Sequence, residues 1–105
     1  MKHILLVISV LLLSISTSFA AQEEVKIACT WGDIAATLAT PEGESGVAVL
    51  IIAGSGPTNR NGNSGLNLNT YAYKMLSDGL VEAGFAVLRY DKRGVGESYI
   101  PAEAV

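Results

Sequence analysis

The stretch Val47-Ala48-Val49-Leu50-Ile51-Ile52-Ala53-Gly54-Ser55-Gly56-Pro57 decides how the rest of the chain is read. Its first six residues offer no polar position, the pattern of a strand covered on both faces in a parallel sheet. The glycines and proline that follow end the strand at a turn. A second run of this kind, Phe85-Ala86-Val87-Leu88, ends at Arg89-Tyr90-Asp91. Between the two lie a polar loop over residues 54–69, rich in glycine and asparagine, and then a helical pattern. Ala72, Leu76, Leu80 and Ala83, with Met75 beside them, form one apolar stripe, while Lys74, Ser77, Asp78 and Glu82 fall outside it. Asn69 or Thr70 caps the start, and Gly84 suits the left-handed residue that closes a helix. Gly79 in the helix interior costs about 1 kcal/mol against alanine, so close packing on a neighbour is expected there. Strand, loop, helix and strand make a crossover unit, whose two strands run parallel.

Upstream, Val25, Ile27, Cys29 and Trp31 alternate with Lys26, Ala28 and Thr30, and the alternation resumes at Ile34, Ala36 and Leu38. Gly32-Asp33 is the expected hairpin turn, and Pro41 stops the second strand because it cannot donate to a ladder. The reading is an antiparallel hairpin over residues 25–40. Cys29, the only cysteine, sits on the apolar face and is expected to be a buried, inert thiol. The fold class is therefore α/β, an antiparallel β-hairpin followed by a parallel βαβ unit. Two strands apolar on both faces need helices on both faces, and one helix is on offer. The sheet is expected to be incomplete.

Lys2 and His3, the apolar run over residues 4–13 and the small residues of Ser18-Phe19-Ala20 have the order of a secretory signal peptide. The run is too short to cross a bilayer of about 30 Å as a helix. Residues 1–20 are read as the signal and residues 21–105 as the amino-terminal portion of one domain. The location is then periplasmic or secreted, with no membrane attachment after cleavage. The full sequence carries a net charge of −3, and losing Lys2 makes the remainder more acidic. An acidic chain without a basic, aromatic-laced cluster is a poor partner for nucleic acid.

In an open α/β sheet the functional groups lie beyond the carboxyl ends of the parallel strands. Two segments occupy that position, Gly54-Ser55-Gly56-Pro57 and Asp91-Lys92-Arg93-Gly94-Val95-Gly96-Glu97-Ser98. Neither is a nucleotide loop. No lysine follows Gly54 and Gly56 at phosphate-loop spacing, and the dinucleotide fingerprint would need glycine or alanine where Asn59 and Tyr99 stand. No cofactor is implied. The mature residues have carboxylates but no histidine, and no ligand spacing for a metal.

Taken together, the hairpin, Leu50-Ile51-Ile52-Ala53-Gly54-Ser55-Gly56-Pro57-Thr58, Arg60-Asn61-Gly62-Asn63 and Leu88-Arg89-Tyr90-Asp91-Lys92-Arg93-Gly94-Val95-Gly96-Glu97-Ser98 resemble the amino-terminal part of the α/β-hydrolase superfamily. The likeness is to its exported bacterial members and covers nearly all of residues 25–98. It implies a partial α/β-hydrolase fold. It also implies that the backbone N–H of Ser55 belongs to an oxyanion hole, where a donor is worth on the order of 3 kcal/mol in the transition state. Many members have histidine before the glycine, whereas Ala53 stands here; a backbone donor is indifferent to that change. The second loop is implied to be a structural turn, with Asp91, Arg93, Gly94 and Gly96 shaping it.

The catalytic residues themselves are not in these residues. A nucleophile elbow needs Gly-x-Ser-x-Gly, and Ser45, Ser64 and Ser98 each lack the second glycine. His3 is the sole histidine and departs with the signal, so no base is left to activate a serine. The resemblance thus implies a serine-dependent acyl-ester hydrolase, acting on a small ester or peptide substrate, of which this chain is an inactive and poorly self-sufficient amino-terminal portion. A serine peptidase or thioesterase of the same fold, and a small exported non-catalytic binding or structural protein, are the other readings.

Overall fold

The computed structural model describes residues 20–43, 45–65, 67–98 and 100. The signal-peptide reading falls on residues 1–20, of which residues 1–19 lie outside the described residues. The fold is mixed α/β. Strands β1 (Ala21–Cys29), β2 (Gly32–Thr40), β3 (Ala48–Ile51) and β6 (Ala86–Tyr90) form one sheet in the order β1-β2-β6-β3. The β1–β2 and β2–β6 pairs are antiparallel, and β3–β6 is the parallel pair. Helix α1 (Ala72–Glu82) connects the parallel strands. A short ladder of β4 (Asn63–Ser64) and β5 (Leu68–Asn69) folds within the segment read from sequence as irregular. Asn59 supports it, its Oδ1 accepting from the backbone of Asn61 at 3.0 Å and Asn63 at 3.1 Å.

The hairpin turn is Thr30-Trp31 and not Gly32-Asp33, because Cys29 pairs with Gly32, and β1 begins at Ala21 instead of residue 25. Sliding a hairpin turn by two residues leaves every side chain on its face, so period-two alternation cannot choose between the turns. The observed register sets Ile27 opposite Ile34 and Glu24 opposite Thr37. Arg93 stacks over the Trp31 ring at 4.9 Å and so reaches back to the turn.

Helix α1 covers one face of the sheet. Val81 packs with Ala39, Ile51 and Val87, flanked by Val49, Tyr73 and Leu80. Only part of the stripe expected from sequence faces the sheet: Leu80 packs there, but Met75 is 68% and Leu76 50% exposed, while Ser77 is buried. The helix is apolar on two sides, and the side holding Tyr73, Leu80 and Val81 won the sheet. Gly79 has no atom near its absent side chain, so close packing does not explain it. The carboxyl end closes at Gly84 (φ 98°), with Phe85 N–H donating to Leu80 O and Gly84 N–H to Val81 O.

Among the described residues no element covers the opposite face of the sheet. Ile27 is 42% and Leu50 52% exposed, and they line an open hollow with Ile34, Leu88 and Tyr90. Cys29 shares this side and is half-buried, not enclosed, because no second layer among the described residues lies over it. Among the described residues no helix is long and apolar enough to cross a membrane.

Candidate functional site

Because β3 and β6 are adjacent and parallel, the loops leaving their carboxyl ends emerge side by side. The second loop is held from within by Asp91, which is 2% exposed. One carboxylate oxygen, Oδ1, accepts from Arg60 N–H at 2.7 Å, and the other accepts from Glu97 N–H at 2.9 Å. A buried carboxylate must find donors, and here both are backbone groups of loops it ties together. The turn closes with Val95 N–H on Lys92 O, Ser98 N–H on Val95 O and Gly94 N–H on Ser98 O. Gly94 (φ 78°) and Gly96 (φ 55°) supply the left-handed backbone.

Ser98 faces inward. Its Oγ accepts from Ala35 N–H at 3.0 Å and donates to Asp91 O, which fastens the loop to β2. The other two serines weighed from sequence are also engaged. Ser64 Oγ lies 2.9 Å from Thr58 Oγ1, and Ser45 Oγ donates to Val47 O at 2.6 Å while accepting from Ala86 N–H at 3.2 Å. None is an unoccupied hydroxyl beside a base.

Arg60 is the hub that sequence reading passed over. It is buried, its Nη2 donates to Glu97 Oε1 at 2.6 Å, and its Nη1 lies 2.9 Å from Glu24 Oε2. Glu24 in turn accepts from Thr37 Oγ1 at 2.7 Å. Both glutamates are largely exposed, so these pairs position Arg60 more than they stabilise the fold. The sequence signal was slight: one arginine in an asparagine-rich loop. Beside it Arg89 is 4% exposed, and its Nε and Nη1 have no hydrogen-bond partner among the described residues. Burial, then the nearby Arg60 charge, push its guanidinium below its ordinary pKa, against the opposing pull of Asp78, Glu24 and Asp91.

The first loop, residues 54–57, is exposed. Ser55 stands there beside the second loop, and Lys92 Nζ donates to Gly54 O at 2.6 Å, joining the two. Ser55, Asp91, Gly94 and Gly96 share one end of the sheet, and at that same end the Arg93 side chain stacks on Trp31 of the hairpin turn. The start of α1 is already occupied by its own chain, since Thr70 Oγ1 accepts from Ala72 N–H and Asn61 O from Lys74 N–H. Gly62 lies against that start so closely that a side chain would meet Tyr73 N at 2.7 Å. Chemically, the end of the sheet offers an exposed backbone amide and a neighbouring lysine on a fixed loop. Comparison with protein-family models finds no match for this chain, and comparison with curated proteins finds none either.

Proposed function

We propose that residues 21–98 are the amino-terminal part of the sheet of an exported α/β-hydrolase, a serine-dependent acyl-ester hydrolase in which the Ser55 N–H faces the developing oxyanion. The observation that carries this reading is the pairing of two loops at the carboxyl ends of parallel β3 and β6, with Ser55 exposed on one and the other fixed around Asp91. The bare apolar face supports it, because Ile27, Leu50 and their neighbours call for a second layer over the sheet. That same face weighs against a self-sufficient binding module, which would have to leave it in water. Peptidase and thioesterase chemistry use the same donor.

The test has two arms. Nucleotides downstream of codon 105, translated in three frames, are expected to encode Gly-x-Ser-x-Gly followed by aspartate and histidine. Residues 21–105 joined to that segment should hydrolyse a chromogenic short-chain ester, whereas residues 21–105 alone should not exceed buffer. Turnover by residues 21–105 alone, or no such segment in any frame, overturns the reading.

A further inference from the structure

We propose that Lys92 is a positioning residue that orients and polarises the Gly54–Ser55 peptide; the inference rests on the reading of Ser55 N–H as the oxyanion donor. Among the described residues, the Lys92 Nζ bond to Gly54 O at 2.6 Å is the one hydrogen bond reaching residues 54–57. No atom packs where a side chain of Gly54 or Gly56 would sit, so the loop is not wedged in place by its neighbours either. Glycine backbone is free to take many orientations, and a donor that samples many orientations stabilises little charge.

Lys92 can impose an orientation because its own backbone is fixed. It follows Asp91, whose carboxylate holds the backbone of Arg60 and Glu97, and Val95 N–H bonds to its carbonyl. The tether therefore runs from a rigid loop to a soft one. The peptide unit is planar, with its C=O and N–H pointing in opposite directions. Holding Gly54 O towards Lys92 turns Ser55 N–H outward, away from the second loop. An ammonium on the carbonyl oxygen also draws electron density from the amide, which makes the N–H a stronger donor to a negative oxygen.

The sequence supplies a clean probe. Gly54–Ser55 is the only Gly-Ser step in the chain. Labelling glycine with carbonyl carbon-13 and serine with nitrogen-15 marks one peptide, which a carbon–nitrogen filter isolates in solution or sedimented samples. The Gly54 carbonyl signal should move upfield in Lys92→Met and stay near the wild-type position in Lys92→Arg, which keeps a cationic donor. Titration with sodium acetate, a carboxylate probe, should shift the Ser55 amide in the wild type and shift it less in Lys92→Met. An unmoved Gly54 carbonyl in Lys92→Met, with the other glycine carbonyls unchanged, overturns the tether. A Gly54 response without any acetate response at Ser55 upholds the tether and overturns the oxyanion role alone, so the two failures are told apart.

Discussion

Gly96 lies so close to Asp91 that a side-chain carbon at that position would stand 2.6 Å from Asp91 Cγ. The glycine is needed twice over, once for this approach and once for its φ of 55°. Asp91 can then receive the Glu97 N–H, and the whole second loop follows from that contact.

Gly96→Ala should therefore be among the costliest single changes in the loop. The left-handed backbone costs alanine about 1–2 kcal/mol, and the displaced carboxylate would leave buried N–H groups unpaired, for a total of roughly 2–4 kcal/mol. Asp91→Asn keeps one acceptor but sets an amide nitrogen against a backbone donor, a smaller loss of about 1–3 kcal/mol. Urea unfolding midpoints measure both, and an unchanged midpoint in Gly96→Ala would refute the contact.

Arg89→Met should raise stability. Arg89 is buried with Nε and Nη1 unpartnered among the described residues, so folding strips its water without replacing it. Methionine keeps most of the length and loses the charge, which removes a desolvation penalty of about 1–3 kcal/mol. Arg60 gives the opposite control. Glu24 and Glu97 relax into solvent when it is lost, but Asp91, buried 3.9 Å from its Nε, cannot, so Arg60→Met should cost about 1–3 kcal/mol. A lower melting temperature for Arg89→Met would show that the guanidinium has an acceptor after all.

Gly79→Ala should stabilise the helix by about 1 kcal/mol, since the position is exposed, helical and has no atom in the way of a new methyl group. A shift of the unfolding midpoint upward with an unchanged slope against urea would verify it. A loss would mean that something covers this side of α1.

What could be read in advance follows from period and composition. The hairpin, the two apolar strands, the connecting helix and the Gly84 stop all leave marks in the order of residues, because each depends on neighbours in the chain. The turn at Thr30-Trp31 does not, since a slip of two keeps Ile27 and Val25 on the same face. Composition does not choose the packed side of α1, because Met75 and Leu76 are as apolar as Val81, and only the partner surface decides between them. The Arg60 hub was illegible for a different reason. It joins residues 24, 60, 91 and 97, and no local pattern announces contacts over such separations.

The two faces of the sheet offer the sharpest contrast. Ile27 and Leu50 already meet water on the bare side, so replacing both with lysine removes apolar surface that two molecules would share and loses only their cross-strand contacts with Ile34 and Leu88. The double variant should lose no more than about 1–2 kcal/mol of unfolding free energy, the worth of two cross-strand pairs. Its self-association in sedimentation velocity, and its binding of the dye ANS, should both fall. Ile51 is the counterpart on the helix-covered side, 8% exposed and packed with Val81 and Val87. Ile51→Lys buries a charge without a partner and should unfold the chain outright. If the double variant unfolded as Ile51→Lys does, the side taken as bare would be a packed one. The need for a second layer, and with it a main support for the hydrolase reading, would be gone.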